Sequence, residues 1–473
     1  MSSHLKIPQY LAAISACMGA MCAGTALAWT SNITGKLRKG ALNGLEMNDE
    51  QLSWTGSSMT IGCMIMCFPI GIVCDKIGRK TTCILTAIPF LVGWLMIIFA
   101  NHTMVLYGGR FLIGVAAGSV CVSAPIYTSE VSHAEVRGTL GIFFQLFMII
   151  GILHANIFGF VLELRYFNMS CAVFPLKFAF IFIFQPESPV YHMAKNNYEK
   201  AEKALQQLRG DNYDCDAELK QIRATIEEEQ MYPSFRQAMK TKAAKKATLI
   251  CFMLMFYQQF CGISSMLFYA QELFTAAGCQ YEPVEPPLCV IIFGCIQLIA
   301  TIFCAVAIER VGRKILLMTS CGLMALASMI IGAFFILKHR NILNEGALKY
   351  FECVLPLVGT TIFIVAFSMG LGPIPWMAPA EIFPPEVKSI CTATAATFNW
   401  LLVFLVSKFY LNLADSIGHD STFFIFAAIS ISGVIFTRFV VPETKGKTFA
   451  EIVKDLTGKK EEEYSEITDN SII

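Results

Sequence analysis

The segment Asp75-Lys76-Ile77-Gly78-Arg79-Lys80 returns in the second half of the chain as Glu309-Arg310-Val311-Gly312-Arg313-Lys314, at an offset of 309 − 75 = 234 residues. Glu130-Val131 with Arg137 returns as Glu381-Ile382 with Lys388, at an offset of 381 − 130 = 251. Pro186-Glu187-Ser188 returns as Pro442-Glu443-Thr444, at an offset of 442 − 186 = 256. Each segment borders an apolar run, so the order predicts a duplicated bundle of membrane helices.

The composition is that of a membrane protein. The 473 residues are 55% hydrophobic and 15% charged, whereas a soluble domain carries about 25% charged residues. The formal net charge of +1 gives no reason to expect a nucleic-acid partner. Most cysteines lie within apolar runs, where a thiol packs as a small apolar group. Cys279 and Cys289 share a predicted external loop, and a disulfide between them is left open.

Twelve apolar stretches reach the length of about 20 residues that a spanning helix needs. We predict an all-α polytopic protein in which two pseudo-symmetric six-helix bundles flank a polar linker. The predicted spans are residues 10–30, 54–74, 81–100, 104–127, 138–160, 166–185, 247–270, 288–308, 315–337, 353–378, 389–411 and 421–441. The predicted domains are an N-terminal bundle (1–190), a linker with short helices (191–246), a C-terminal bundle (247–441) and a tail (442–473).

Basic residues predict the orientation of the spans. Lys240, Lys242, Lys245 and Lys246 precede span 7, and the positive-inside rule assigns the linker to the cytoplasm. An even number of spans then makes both termini cytoplasmic, and we expect a plasma-membrane protein. The sequon at Asn32 lies on the predicted outer side and is the predicted glycosylation site.

The repeated charges lie at the predicted inner ends of the spans. Their repetition favours interhelical ion pairs over simple anchoring by positive charge. We predict that they hold the inner faces of the two bundles together. This charged latch consists of Asp75, Arg79, Glu130, Arg137, Glu309, Arg313, Glu381 and Lys388.

Carboxamides interrupt apolar spans in both halves, at Gln145 in span 5, Gln258 and Gln259 in span 7, and Asn399 in span 11. A buried amide is costly unless it is hydrogen bonded. The amides could join helices to one another. Their presence in both halves favours a wet cavity in which they bind hydroxyl groups, because a carboxamide both donates and accepts.

Span 10 contains Gly370-Leu371-Gly372-Pro373-Ile374-Pro375-Trp376. Proline lacks the N–H that a helix needs, so we expect the helix to break or kink there. A simple packing kink is the alternative. A break near the membrane midplane indicates a substrate site or a gate, and Trp376 could stack on a pyranose ring.

These features resemble the sugar porter family of the major facilitator superfamily, in particular facilitative glucose transporters and insect facilitated trehalose transporters. The resemblance covers about residues 8–450 and includes Gly109-Arg110-Phe111, Gln258-Gln259 with Gly262-Ile263, Gly372 to Trp376 and Pro442 to Gly446. It implies sugar contacts by Gln145, Gln258, Gln259, Trp376 and Asn399, with Ser264, Phe367 and Trp400 near the pocket. It implies a gate formed by Phe268, Tyr269, Gly372, Pro373 and Pro375.

The chain departs from the family pattern at Ser264, where the family has Asn, and at Val190, where it has Arg. Lys177, within span 6, has no assigned role. Span 1 carries Gly24-Thr25-Ala26-Leu27 where proton-coupled relatives tend to have a carboxylate. We therefore expect passive uniport of a hexose or trehalose by a monomer, with proton symport or a non-transporting sugar receptor as alternatives. We predict no enzyme activity, catalytic residue, cofactor or metal.

Overall fold

The computed structural model describes residues 6–210, 213–231, 239, 241–278, 286–340, 345–383, 385–445, 447 and 449–457. All elements within these residues are helices, which confirms the all-α class. The spans of the N-terminal half are Ile7–Arg38 (span 1), Asp49–Cys67 with Pro69–Ile77 (2), Arg79–Leu85 with Ala87–Ile98 (3), Thr103–Val131 (4), Ala134–Val161 (5) and Leu164–Ile183 (6).

The C-terminal half begins with span 7, which joins Lys242–Gln258, the π-helical turn Gln259–Ile263 and Ser264–Ala277. Pro286–Val311 is span 8, Arg313–His339 is span 9, and span 10 consists of Glu345–Met369 and Ile374–Ile382. Pro385–Phe439 contains spans 11 and 12, and Phe449–Thr457 is a short tail helix.

Length and bending establish the number of spans. Within the part of the chain that the structure describes, ten helical segments are long and apolar enough to cross a membrane, and the bent pair Asp49–Cys67 with Pro69–Ile77 makes eleven. The helix Pro385–Phe439 has 55 residues and bends at Gly418, whose φ of 87° is not helical. A straight helix of that length would measure about 80 Å, well over twice the ~30 Å of hydrocarbon. Divided at Gly418, it supplies two spans, and the prediction of twelve is confirmed.

Small residues allow helices of one half to approach closely. A Cβ atom added to Gly24 of span 1 would lie 2.0 Å from the carbonyl oxygen of Met148, and one on Gly151 of span 5 would lie 2.2 Å from that of Met21. Close backbone approach at small residues is the usual basis of membrane helix packing. Spans 1 and 5 therefore form a tight pair within the first half, as spans 2 and 4 do.

In its described residues the linker forms three helices, Pro189–Ala194, Tyr198–Arg209 and Asp216–Met231. They share a small apolar cluster that includes Met193, Leu205 and Leu219. The buried Arg209 donates a 2.8 Å hydrogen bond to the carbonyl oxygen of Val131 and pairs with Glu218 at 2.8 Å. Arg209 therefore fastens the linker to the end of span 4. We call this face of the molecule the linker side and the opposite face the far side.

The structure contradicts the glycosylation predicted at Asn32. Span 1 continues to Arg38, and Asn32 is only 4% exposed within it. Its amide donates to the carbonyl oxygen of Ala28 at 2.9 Å and to Asn156 Oδ1 at 3.0 Å. An asparagine that is packed between two helices cannot carry an oligosaccharide.

Two other sequence observations concern single residues. Lys177 is exposed on the face of span 6 that also exposes Leu176 and Phe180. Its ammonium lies 5.7 Å from the centre of the Phe174 ring. Cys279 lies outside the described residues, so its pairing with Cys289 stays a prediction.

Candidate functional site

The predicted amides of spans 7 and 11 meet inside the C-terminal half. Asn399 Nδ2 donates to Gln258 Oε1 at 2.7 Å, and Gln259 Nε2 donates to Asn399 Oδ1 at 3.2 Å. Ser264 Oγ donates to Gln259 Oε1 at 2.6 Å. All four side chains are buried. We call Gln258, Gln259, Ser264 and Asn399 the carboxamide cluster.

A local change in helix type positions the cluster. Span 7 leaves the α-helical pattern at Gln259 and forms a π-helical turn that ends at Ile263. Gly262 within it has φ 100° and ψ 9°, and a Cβ atom there would lie 2.6 Å from Cδ2 of Phe426. Only glycine fits this backbone without strain. π-Helical turns are frequent at functional sites.

The break predicted in span 10 faces the same cluster. The first helix of span 10 ends at Met369 and the second begins at Ile374. Gln258 Nε2 donates to the carbonyl oxygens of Leu371 at 2.7 Å and Gly372 at 2.9 Å, both within the break. Spans 7, 10 and 11 are thus joined at one point by side-chain amides and free backbone carbonyls.

The predicted aromatic gate lies on the far side of the cluster. Phe268 and Tyr269 are buried, and Tyr269 Oη donates to the carbonyl oxygen of Ser407 at 2.8 Å. A Cβ atom on Gly56 of span 2 would lie 3.4 Å from Tyr269 Oη. Span 2 of the first half therefore packs against the gate residues of the second half.

Charged residues join the two halves near the far-side ends of the spans. Arg38 Nη1 lies 2.9 Å from both carboxylate oxygens of Glu272, and Arg38 Nη2 lies 2.8 Å from Asp49 Oδ1. Lys408 Nζ donates to Ser53 Oγ at 2.8 Å and lies 4.6 Å from the centre of the Trp54 ring. We call Arg38, Asp49, Glu272, Ser53 and Lys408 the far-side lock. The sequence analysis did not identify it, because nothing in the sequence relates spans 1 and 2 to spans 7 and 11.

The remaining predicted sugar-contact residues differ in their surroundings. Phe367 and Trp400 are buried, and Gln145 is half-buried on span 5. Trp376 is 38% exposed on the second helix of span 10. The structure therefore brings together Gln258, Gln259, Ser264 and Asn399, whereas Trp376 lies outside the buried cluster.

Several residues that the sequence analysis passed over have unused hydrogen-bonding atoms, and two of them lie in spans 7 and 8. In the described part of the chain, Gln297 Oε1 in span 8 and Ser265 Oγ in span 7 are buried without a hydrogen-bond partner. A buried polar atom usually has a partner, so each is a candidate contact for a polar ligand. Gln297 carried the same signal as Gln145, an amide within an apolar span.

Arg110 of span 4 is fully buried among neutral groups. It donates to the carbonyl oxygens of Ala26 at 2.8 Å and Thr55 at 3.1 Å, and to Thr30 Oγ1 at 3.0 Å. Its guanidinium also lies 5.0 Å from the centre of the Trp29 ring. These contacts use backbone dipoles and an aromatic face rather than a carboxylate.

The charged latch is repeated in the structure, but within each half. Arg79 Nε lies 3.0 Å from Glu130 Oε2, and its Nη2 lies 3.0 Å from Asp75 Oδ1. Arg313 Nη2 lies 3.2 Å from Glu381 Oε1. Ser188 donates to Glu130 and Thr444 donates to Glu381, so the Arg–Glu pair and its hydroxyl donor recur in both halves.

This arrangement corrects the predicted role of the latch. Each described pair joins helices of one bundle, because Arg79 and Glu130 belong to spans 3 and 4 and Arg313 and Glu381 to spans 9 and 10. The expectation that these pairs hold the two bundles together is wrong. The side chains of Arg137, Glu309 and Lys388 lie outside the described part of the structure, and their roles stay predictions.

Comparison with known proteins identifies the family. The family model described as sugar (and other) transporter matches residues 13–456. The facilitated trehalose transporter Tret1 of Culex quinquefasciatus is 34% identical over 454 residues, a match that covers 95% of this chain and 86% of the relative. Tret1 of Anopheles gambiae is 35% identical over 453 residues, but this chain spans 56% of that longer relative. It spans 55% of Tret1 of Aedes aegypti.

Solved structures agree with the fold. The proton:xylose symporter XylE bound to 6-bromo-6-deoxy-D-glucose matches with a TM-score of 0.77 at 23% identity, covering 95% of this chain and 98% of XylE. An inward-open structure of XylE from E. coli also gives 0.77, at 22% identity, with 94% and 98% covered. At these identities the likeness concerns the fold. From the family match, the chain belongs to the family of sugar (and other) transporters, and its fold is similar to that of XylE, a protein of the major facilitator superfamily.

Proposed function

We propose that this protein moves a hexose or trehalose across the membrane passively, by alternating access between its two halves. The observation that carries the proposal is the carboxamide cluster at the breaks of spans 7 and 10. The trehalose transporters among its relatives support this substrate class.

The cluster suits a ligand rich in hydroxyl groups. Asn399 donates to Gln258 and accepts from Gln259, so its amide acts both as a donor and as an acceptor. A sugar hydroxyl also does both and could replace either partner in these hydrogen bonds. Each exchanged hydrogen bond contributes about 1 kcal/mol net. A millimolar affinity needs about −4 kcal/mol, which a few such contacts supply.

Passive transport is supported by the surroundings of Arg110. Its described partners are the backbone of Ala26 and Thr55, the Thr30 hydroxyl and the Trp29 ring. A proton-coupled carrier needs a group that gains and loses a proton near the substrate path. Proton symport is the second candidate, because XylE, a structural neighbour, is described as a proton:xylose symporter.

We also propose that the linker side faces the cytoplasm of a plasma-membrane protein and that a monomer is the working unit. The lysines before span 7 support this orientation. The division into residues 1–190, 191–246, 247–441 and 442–473 remains the proposed domain arrangement.

Uptake measurements test the function. Cells that lack sugar transport would express the protein and receive radiolabelled trehalose, glucose or fructose. We expect saturable uptake of one of these sugars, efflux from preloaded cells, and no change on adding a protonophore. Loss of uptake with the protonophore would favour symport, and sugar binding without efflux would favour a receptor.

Substitution of one residue of the carboxamide cluster tests whether sugar uptake depends on that cluster. Gln259→Ala removes the bonds to Asn399 and Ser264, and we expect it to abolish most uptake at unchanged surface abundance. Gln221→Ala, on an exposed face of a linker helix, is the matched control and should transport normally. Normal uptake by Gln259→Ala would refute the site.

A further inference from the structure

The two prolines at the break in span 10, Pro373 and Pro375, leave carbonyl groups without helical partners. In a continuous helix the N–H of residue 373 would bond the carbonyl of Met369, and that of residue 375 would bond the carbonyl of Leu371. Proline has no N–H at either position. The carbonyl oxygen of Met369 instead accepts from Cys304 Sγ at 3.4 Å. The carbonyl oxygen of Leu371 accepts from Gln258 Nε2 at 2.7 Å.

Span 9 holds the other side of the broken turn. The N–H of Leu371 donates to Ser320 Oγ at 3.1 Å, and the N–H of Gly372 donates to the carbonyl oxygen of Phe367 at 2.7 Å. A Cβ atom on Gly370 would lie 2.5 Å from the carbonyl oxygen of Leu316. Span 9 thus fixes the start of the turn, while Gln258 ties its carbonyls to span 7.

The Gln258 amide is occupied at both ends. Its Nε2 donates to Leu371 and Gly372, and its Oε1 accepts from Asn399 Nδ2 at 2.7 Å. A ligand that hydrogen-bonds this amide therefore competes with the tie to span 10. A sugar hydroxyl can donate to the carbonyls in place of Nε2, so the exchange leaves no buried carbonyl without a donor.

We propose that Gln258 is a positioning residue that couples sugar occupancy to the movement of span 10, a role that rests on the proposed function. Without sugar, its amide clamps the turn at residues 370–373 and holds the second helix, Ile374–Ile382, in place. Sugar hydroxyls take over the bonds to the Leu371 and Gly372 carbonyls and release the clamp. The helix Ile374–Ile382 then moves relative to span 7.

The first test removes the clamp and follows span 10 in the absence of sugar. Met377→Cys places a thiol on the second helix of span 10, and its rate of modification by a soluble maleimide reports the movement of that helix. We expect Gln258→Met, similar in size but unable to donate, to raise the rate by at least about five-fold, the effect of losing one of the two hydrogen bonds that Nε2 makes to span 10. Sugar should raise the rate in the parent and change nothing further in Gln258→Met.

The second test restores the missing helical donor. Pro375→Ala returns an N–H that can bond the carbonyl of Leu371, so Gln258 becomes free to bind sugar. Equilibrium sugar binding should tighten about five-fold while turnover falls. Pro356→Ala, in the first helix of span 10, is the control and should change neither. Pro375→Ala also covers the case in which Gln258→Met fails to fold.

The outcomes separate this inference from the proposed function. An unchanged sugar-free labelling rate in Gln258→Met, or unchanged binding in Pro375→Ala, would overturn the clamp even if the protein transports sugar. Conversely, a parent protein that transports no sugar would refute the proposed function, while faster sugar-free labelling of Gln258→Met would still demonstrate the clamp.

Discussion

Gly262 shows how a single residue shapes the site. It lies three residues after the glutamine pair, with a φ of 100° that L side chains rarely adopt. The Phe426 ring fills the space that a Cβ atom would need. Both restrictions act together, so the π-helical turn and the orientation of Gln258 and Gln259 depend on the absence of a side chain there.

Gly262→Ala should therefore destabilise the protein by about 1–3 kcal/mol from backbone strain alone, and reduce uptake. Thermal unfolding of a fluorescent fusion in detergent measures the first effect. Gly141→Ala is the control, because a Cβ atom at Gly141 meets nothing within 4 Å. Equal melting temperatures for the two variants would contradict the importance of the turn.

At the scale of helices, the repeated motifs form matching caps on spans 3 and 9. Gly78 and Gly312 precede these helices with φ of 100° and 101°. Glu187 Oε1 accepts from the N–H of Lys80 at 2.9 Å, and Glu443 Oε1 accepts from that of Arg313 at 3.0 Å. A carboxylate at a helix N-terminus is stabilised by the free N–H groups and the helix dipole.

The cap formed by Glu443 predicts a pH dependence. Burial by itself would raise the pKa of this carboxyl, but hydrogen bonds from four backbone N–H groups outweigh it and hold the pKa below the usual value; the donors are Lys445, Arg313, Lys314 and Thr444. A lowered pKa stabilises the fold above the unfolded value of about 4.3, and the contribution is lost as the pH falls through the folded pKa.

Glu443→Gln should thus have a lower melting temperature than the parent at pH 7. The difference between the two melting temperatures should shrink below about pH 4.3. Melting curves of the two proteins in detergent between neutral and acid pH give the comparison. A difference that grows on acidification would have the wrong sign for this cap.

The ion pairs within each half are partly buried. The side chains of Arg79 and Glu130 are 10% and 14% exposed, and those of Arg313 and Glu381 are 13% and 24% exposed. Removing one partner of a buried pair leaves an uncompensated charge and costs about 3–5 kcal/mol. Glu130→Gln should lower stability by about this amount, and Glu381→Gln by less because Glu381 is more exposed.

Glu227→Gln provides the control for these variants, since Arg223 and Glu227 form an exposed pair worth about 0.3–0.5 kcal/mol. The test compares the melting temperatures of Glu130→Gln, Glu381→Gln and Glu227→Gln. If Glu130→Gln lowers the melting temperature no more than Glu227→Gln does, the Arg79–Glu130 pair does not stabilise the fold.

At the scale of the molecule, the ion pair and the hydrogen bonds that join the two halves in the described residues lie at their far-side ends. Arg38 joins Glu272 of span 7, Lys408 of span 11 joins Ser53, and Asn156 Nδ2 of span 5 donates to the carbonyl oxygen of Val290 at 3.4 Å. On the linker side the described ion pairs lie within one half. The contacts of Arg38, Lys408 and Asn156 hold the far-side ends of the two halves together.

Opening the far side must then separate Arg38 from Glu272. We expect that a double variant, Arg38→Cys with Glu272→Cys, treated with a short bifunctional thiol reagent, loses nearly all uptake, because the cross-link prevents the halves from parting. Each single variant treated with the same reagent keeps its own uptake. Undiminished uptake by the cross-linked protein would exclude a far-side opening at this point.

The errors of the sequence analysis have a common physical origin. The predicted first span ended at residue 30, so Asn32 was assigned to a loop; contact with Asn156 on span 5 keeps it inside a longer helix. The charged motifs correctly indicated ion pairs at helix ends, but a motif does not state which helix supplies its partner. Arg79 therefore pairs within its own half.

Hydrophobic length, proline chemistry and the cost of a buried amide act locally, so the residues alone predict the twelve spans, the duplication, the break in span 10 and the amides of spans 7 and 11. The bond of Gln258 to the open carbonyls of span 10 and the contact of Arg38 with Glu272 emerge only in the folded protein. Those contacts join residues that are 113 and 234 positions apart, and such pairings depend on how whole helices pack.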